Sequence, residues 1–138
     1  MFRVDPLSHT ADVGYEVTAD SLSELFRGAA RGLVRAVGSE PPGGDGEIET
    51  LTLEGPDRER LMVAWLQELL YRMSRRGRPL VDADVTMTGL SSLRAELRWP
   101  TSGAPEPPER EVKGVTYHGL HVGEDEEGRW HARLVLDV

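Results

Sequence analysis

The sequence predicts an α+β fold, a two-layer sandwich with two amphipathic helices packed on a mixed β-sheet. Three observations lead there. Two segments carry apolar residues at helical spacing, and several others alternate apolar and polar residues with a period of two. The order along the chain is strand, helix, strand, helix, then several strands. A helix with one apolar stripe needs a sheet face to cover, so layering is the economical solution. A chain of 138 residues suits one core, and the expected unit is a single domain over 1–138.

Each element has a local reason. In 11–17, Ala11, Val13, Tyr15 and Val17 share one face and Asp12, Gly14 and Glu16 the other, a half-buried strand. Ser21-Leu-Ser-Glu24 is a capping-box pattern, and Leu22, Leu25, Phe26, Ala29, Ala30, Leu33, Val34 and Val37 follow it at helical spacing up to Gly38. Glu40–Gly46 is rich in Pro and Gly and reads as a loop, and 47–54 as a strand. Pro56-Asp57 opens a second helix with the stripe Leu61, Met62, Trp65, Leu66, Leu69, Leu70 and Met73, closed by Gly77 and Pro79. Leu80–Met87 and Leu93–Trp99 read as strands joined through Gly89-Leu-Ser-Ser, and Pro100–Glu109 as an exposed loop. Val112–Val122 and Arg129–Val138 then form a terminal hairpin across Glu124–Gly128.

Composition narrows the function. The chain carries 16 basic and 24 acidic side chains, a net charge of −8. That balance argues against a protein held to nucleic acid mainly by phosphate contacts and favours binding to cations or a basic surface. Without cysteine there is no disulfide, thiolate metal site or thiol nucleophile. No apolar run approaches a membrane span, and the first residues lack the apolar core of a signal peptide, so a cytoplasmic protein is expected. Asparagine is absent, isoleucine occurs once, and Lys113 is the single lysine against 15 arginines. In such a background a lone ammonium can mark a task that a guanidinium cannot perform, or it can be a chance survivor.

Several residues could carry chemistry. His9-Thr-Ala-Asp12 precedes and enters the first alternating strand, where Asp12 sits on the polar face. Read alone, Asp12 is an ordinary turn or edge carboxylate. At the other end Asp137 is followed by Val138. If the last strand ends beside the first, the side chains of Asp12 and Asp137 and the α-carboxylate of Val138 can converge. Such an all-oxygen, anionic donor set suits a hard cation. His118, His121 and His131 cluster late, but a spacing of three in a strand turns His118 and His121 to opposite sides, which favours structural or surface roles over zinc. Arg72, Arg75, Arg76 and Arg78 crowd the end of the second helix. They could touch RNA phosphates, or be a solvated group favoured there by the helix dipole. Glu124–Glu127 lacks the ligand spacing of a calcium loop and reads as a hairpin turn. No dinucleotide fingerprint, P-loop or nucleophile-elbow motif occurs.

Taken together, His9-Thr-Ala-Asp12-Val-Gly14, the helix Ser21–Val37, Lys113-Gly-Val-Thr-Tyr-His118 and the terminal Leu136-Asp137-Val138 resemble the archease family, in the right order from start to end. The resemblance implies a small α+β protein of duplicated strand-helix-strand-strand type. It implies an accessory role in tRNA splicing and RNA repair: activating an RtcB-type RNA ligase by promoting its metal-dependent guanylylation and turnover. It implies that Asp12, Asp137 and Val138 are ligands of a divalent cation, Ca²⁺ before Mg²⁺ or Mn²⁺. Lys113, with His9, is implied to serve ligase activation, which meets the oddity of the lone lysine. Two positions depart from the family pattern: Ser8 stands where an acid usually precedes the motif histidine, with Asp5 nearby, and Gly114 stands where alanine is common. The family is also described as a chaperone-like modulator of tRNA methyltransferases. A third reading is a small metal-dependent hydrolase built on Asp12, Asp137 and His118, against which stands the lack of a recognisable base–nucleophile pair.

Overall fold

In the computed structural model the described residues are 1–7, 13–38, 46–101, 108 and 110–138. They form β1 (Phe2–Leu7), β2 (Val13–Ala19), α1 (Leu22–Ala36), β3 (Gly46–Glu54), α2 (Arg58–Arg76), β4 (Asp82–Gly89), β5 (Ser92–Pro100), β6 (Gly114–Glu124) and β7 (Trp130–Asp137). The protein is α+β, with two helices packed on antiparallel sheets. The expected single mixed sheet is replaced by two: a four-stranded sheet in the order β1-β2-β7-β6 and a three-stranded one in the order β3-β5-β4. Among the described residues every strand pairing is antiparallel. The physical reason lies in the connections. Short turns join β4 to β5 and β6 to β7, and such turns can only build antiparallel pairs.

Both helices begin and end where local chemistry directs. The Ser21 hydroxyl accepts from the Glu24 N–H at 3.2 Å, and Asp57 caps α2 by accepting from the Arg60 N–H at 2.8 Å. The Glu24 carboxylate pairs with Arg27 at 3.4 Å. Gly77 ends α2 in the left-handed region, at φ 64°, and donates to the Met73 carbonyl at 2.8 Å.

The helices connect the two sheets. Helix α1 lies against β1, β2 and β7 of the first sheet and β4 of the second, while α2 lies against β6 and β3. A helix touched on so many sides must be small where it meets a strand. A Cβ on Gly28 would lie 2.6 Å from Val17, and one on Gly32 would strike the Tyr15 ring. The Tyr15 hydroxyl, fully buried beneath this crossing, donates to the Ala29 carbonyl at 2.7 Å. Trp65 ties the helices together by donating its indole N–H to the Phe26 carbonyl at 2.8 Å. On β5, buried Leu93, Ala95, Leu97 and Trp99 alternate with Arg94, Glu96 and Arg98, as period two requires.

Strand β1 was not among the expected elements. Phe2 and Val4 pack against the core, and β1 lies at the edge of its sheet, where Pro6 costs no interior ladder bond. Strand β6 also departs from simple alternation. Thr116 pairs with Val135 and His121 with Arg133, so four residues, 117–120, stand opposite Leu134 alone. Gly119 turns this excursion at φ 70°, and the His118 N–H donates to the Thr116 hydroxyl at 2.8 Å. The bulge, not the strand period, therefore governs where His118 and His121 sit, and both are exposed.

Candidate functional site at the joined strand ends

Three strand ends meet at one end of the four-stranded sheet. Val13, which directly follows Asp12 in the sequence, pairs with Leu136, which directly precedes Asp137. Leu136 also pairs with Val115 on its other side, and Gly114 pairs with Asp137. The register thus brings the start of β2, the end of β7 and the start of β6 side by side. Leu136 is fully buried and acts as the anchor. Asp137, one residue on, takes the opposite, solvent-exposed face. Lys113 closes the arrangement by donating its backbone N–H to the Asp137 carbonyl at 2.7 Å. Val138 is 38% exposed, and the Lys113 side chain is exposed. Neither Asp137 nor Lys113 is engaged in an ion pair among the described residues.

His9, Asp12 and Ser8 lie outside the described residues. Asp5 is described and does not belong to this end. It pairs across β1 and β2 with Glu16, which pairs with Arg133, four residues back along β7 from Asp137. That is about 13 Å along the strand. Asp5 is instead paired with Arg3 at 2.8 Å. Among the described residues no three His, Asp or Glu side chains are grouped as a metal cage.

The late histidines are spread out. His131 lies near the far end of β7, with its Nε2 2.7 Å from Asp125 Oδ2. Asp125 Oδ1 also accepts from the backbone N–H groups of Glu127 and Arg129, at 2.9 and 3.0 Å. The His131 contact first, then those N–H groups, hold the Asp125 carboxyl below its ordinary range. Asp125 therefore organises the hairpin turn.

The arginines at the end of α2 divide: Arg75 is exposed, as a solvated group would be, but Arg72 and Arg76 are tied to carboxylates. Arg72 pairs with Glu49 at 2.7 Å and with Glu68 at 2.9 Å, and Arg76 pairs with Glu49 at 3.2 Å. The helix-dipole reading missed Glu49 because it lies on a strand distant in sequence. Alternating Glu47 and Glu49 on β3 were the available signal.

Comparison with known proteins follows the same span. A model described as the Archease protein family (MTH1598/TM1083) matches residues 5–138. The chain is 34% identical over 146 residues to the protein archease of Methanopyrus kandleri, covering 97% of this chain and 98% of that one. It is 30% identical over 142 residues to the protein archease of Pyrococcus abyssi, covering both in full, 100% each. Among solved structures, the solution structure of Methanobacterium thermoautotrophicum protein 1598 superposes with a TM-score of 0.73 at 23% identity, covering 98% of both chains. The crystal structure of an archease from Thermotoga maritima, described as a possible chaperone, superposes with a TM-score of 0.65 at 22% identity, covering 97% and 96%. These two likenesses speak for the fold. Among the described residues no helix is long and apolar enough to cross a membrane.

Proposed function

Because this chain belongs to the archease family, we propose that it is a cytoplasmic accessory protein that activates an RtcB-type RNA ligase in tRNA splicing and RNA repair, and is not itself an enzyme. One observation supports the reading above others. The strand register joins the end of β7 to the start of β2 and to Lys113, so Val13, Lys113 and Asp137, one residue from each of three sequence motifs, lie at neighbouring strand ends. In this reading Asp12, Asp137 and Val138 hold a divalent cation, with Ca²⁺ favoured over Mg²⁺ or Mn²⁺. The donor chemistry fits: Asp137 is exposed, has no ion-pair partner among the described residues, and offers hard oxygen atoms. A bound cation would supply positive charge for an oxyanion developing on a phosphorus centre. In the same reading Lys113 supplies an exposed ammonium, and His9 also serves ligase activation.

The direct experiment is ligase turnover with and without this protein, across GTP and metal concentrations. The expected result is multiple turnover and faster guanylylation when the protein is present. Unchanged ligase turnover at every metal and GTP concentration would overturn the reading. The second reading is a chaperone-like modulator of a tRNA methyltransferase, in keeping with the description of the Thermotoga protein as a possible chaperone. That role needs no carboxylate cluster, so calorimetry with Ca²⁺ and Mg²⁺ separates the two.

A further inference from the structure

The C-terminal half of α2 holds a feature that the ligase reading leaves unused. Where α2 faces β3 there is an open cleft of about 350 Å³, lined by Glu49, Glu68, Tyr71, Arg72, Arg75 and Arg76. Its volume falls in the range of small-molecule sites, and its lining is polar.

Two of its guanidinium groups are held in place. Arg72 Nη1 is 2.7 Å from Glu49 Oε1, and its Nε donates to Glu68 Oε1 at 2.9 Å. Arg76 Nη2 donates to Glu49 Oε2 at 3.2 Å and Nη1 to Glu47 Oε2 at 3.4 Å, while its guanidinium stacks 4.6 Å from the Trp99 ring centre. The Trp99 indole N–H also donates to Glu49 Oε1, at 3.2 Å. Glu49 thereby fixes two guanidinium planes at one wall of the cleft. Each guanidinium has five N–H donors, so these contacts leave donors over.

Arg75 is different. It has no carboxylate partner among the described residues. It lies 5.8 Å over the Tyr71 ring, one turn back on the same helix, and its Nη1 is 3.4 Å from the Tyr71 hydroxyl. Both side chains are exposed, Tyr71 to 56%. An ion-pair network joining α2 to β3 accounts for Arg72 and Arg76. It does not account for Arg75 and Tyr71, whose side chains have no hydrogen-bond or cation–π partner but each other among the described residues, nor for a cleft left open over three guanidiniums.

We propose that this cleft binds a phosphoryl group, carried by a nucleotide or by an RNA strand. Arg75 closes on the phosphoryl oxygens against the fixed Arg72 and Arg76, and Tyr71 offers its ring to the attached base. Guanidinium forks match phosphate geometry, and holding two of them beforehand lowers the ordering cost of binding. Tyrosine is a ready stacking platform for any base. Glu47, Glu49 and Glu68 formally balance the charge of Arg72, Arg75 and Arg76, so inorganic phosphate alone should bind no tighter than about the millimolar range. The site uses none of Asp12, Lys113, Asp137 or Val138, and so stands apart from the ligase reading.

The test titrates the full chain at low ionic strength with inorganic phosphate, guanosine monophosphate and a short single-stranded oligouridylate. The readout is the NMR shift of the arginine Nε–H groups. All three ligands should give saturable shifts at Arg72 and Arg75, with the two base-bearing ligands saturating at lower concentration. The tighter of those two identifies the source, free nucleotide or RNA. Arg75→Ala, at an exposed position, should weaken all three by roughly tenfold, the loss of one charge-assisted contact. Tyr71→Leu should weaken only the base-bearing ligands. Arg94→Ala, on an exposed position of β5, should leave affinity unchanged. The absence of saturable shifts up to about 10 mM phosphate or nucleotide would overturn the proposal. So would equal losses in Arg75→Ala and Arg94→Ala, which would mean diffuse charge attraction without a site.

Discussion

Lys113 donates its backbone N–H to the carbonyl oxygen of Asp137 at 2.7 Å, and so joins the chain's single lysine to the strand end that carries the exposed carboxylate. The bond uses main-chain atoms, so the side chain of Lys113 is left for other work. Lys113→Arg should therefore keep the fold and the charge. It should nonetheless lower ligase activation, because a planar guanidinium cannot replace a compact ammonium in a small anionic setting. Ligase turnover with the variant checks this, beside an unchanged melting temperature. Full activation by the arginine variant would remove the case for a specific ammonium.

Asp137→Asn tests the cation separately. The side chain is exposed and opposite buried Leu136, so the change leaves the core alone. It removes one formal charge from the proposed donor set. Calorimetry should find Ca²⁺ affinity lowered by at least about tenfold, since such sites are tuned by ligand charge. Activation should fall in parallel. Unchanged affinity would exclude Asp137 as a ligand.

Much of this was legible from residues alone, for reasons that differ by element. The helices were readable because caps and stripe agree: Ser21 and Asp57 cap, and the apolar residues behind them are buried. The last hairpin was readable because buried Ala132, Leu134 and Leu136 share one face and exposed Arg133 and Asp137 lie on the other, where Val135 is buried as well. Strand β1 was not, because an edge strand with Arg3, Asp5 and Pro6 has no strong local signal. The division into two sheets was hidden too, since pairing depends on how α1 meets both β2 and β4. At the site, Asp137 and Lys113 could be named from motifs, but their hydrogen bond depends on register. Glu68, four residues before Arg72, was within reach of a helix-face argument, but Glu49, the shared partner of Arg72 and Arg76, lay on a strand distant in sequence and was not.

Gly119 gives a test of the β6 bulge. Its φ of 70° lies in the left-handed region, while a Cβ there would meet nothing nearer than Arg133 Nε at 3.6 Å. The cost of Gly119→Ala is thus backbone strain without a clash, about 1 kcal/mol. Urea unfolding should show that loss. A variant as stable as the parent would mean that the bulge can relax into an ordinary strand.

Acid should weaken the protein through two carboxylates that bridge layers. Burial pushes the Asp82 carboxyl up, but the Arg27 fork, at 3.1 and 2.7 Å, and the Ala83 N–H outweigh it and hold the group below its ordinary range. Burial likewise pushes Glu49 up, and Arg72 and Arg76 bring it below its ordinary range. A carboxylate depressed in the native state binds fewer protons there than in the unfolded chain. Its stabilisation is therefore present above the unfolded value, roughly pH 4, and is lost as pH falls through the lower native value. Asp82 joins α1 to β4, and Glu49 joins β3 to α2, so both losses loosen contacts between helix and sheet. Glu49→Gln should cost about 1–2 kcal/mol at neutral pH, because Arg72 and Arg76 keep a hydrogen-bond acceptor but lose the charge. The double change Glu49→Gln with Asp82→Asn should cost more at neutral pH and also flatten the acid limb of stability against pH. Urea unfolding midpoints from neutral pH down to about pH 3 measure both effects. A double variant with the same acid slope as the parent would show that other carboxylates govern acid unfolding.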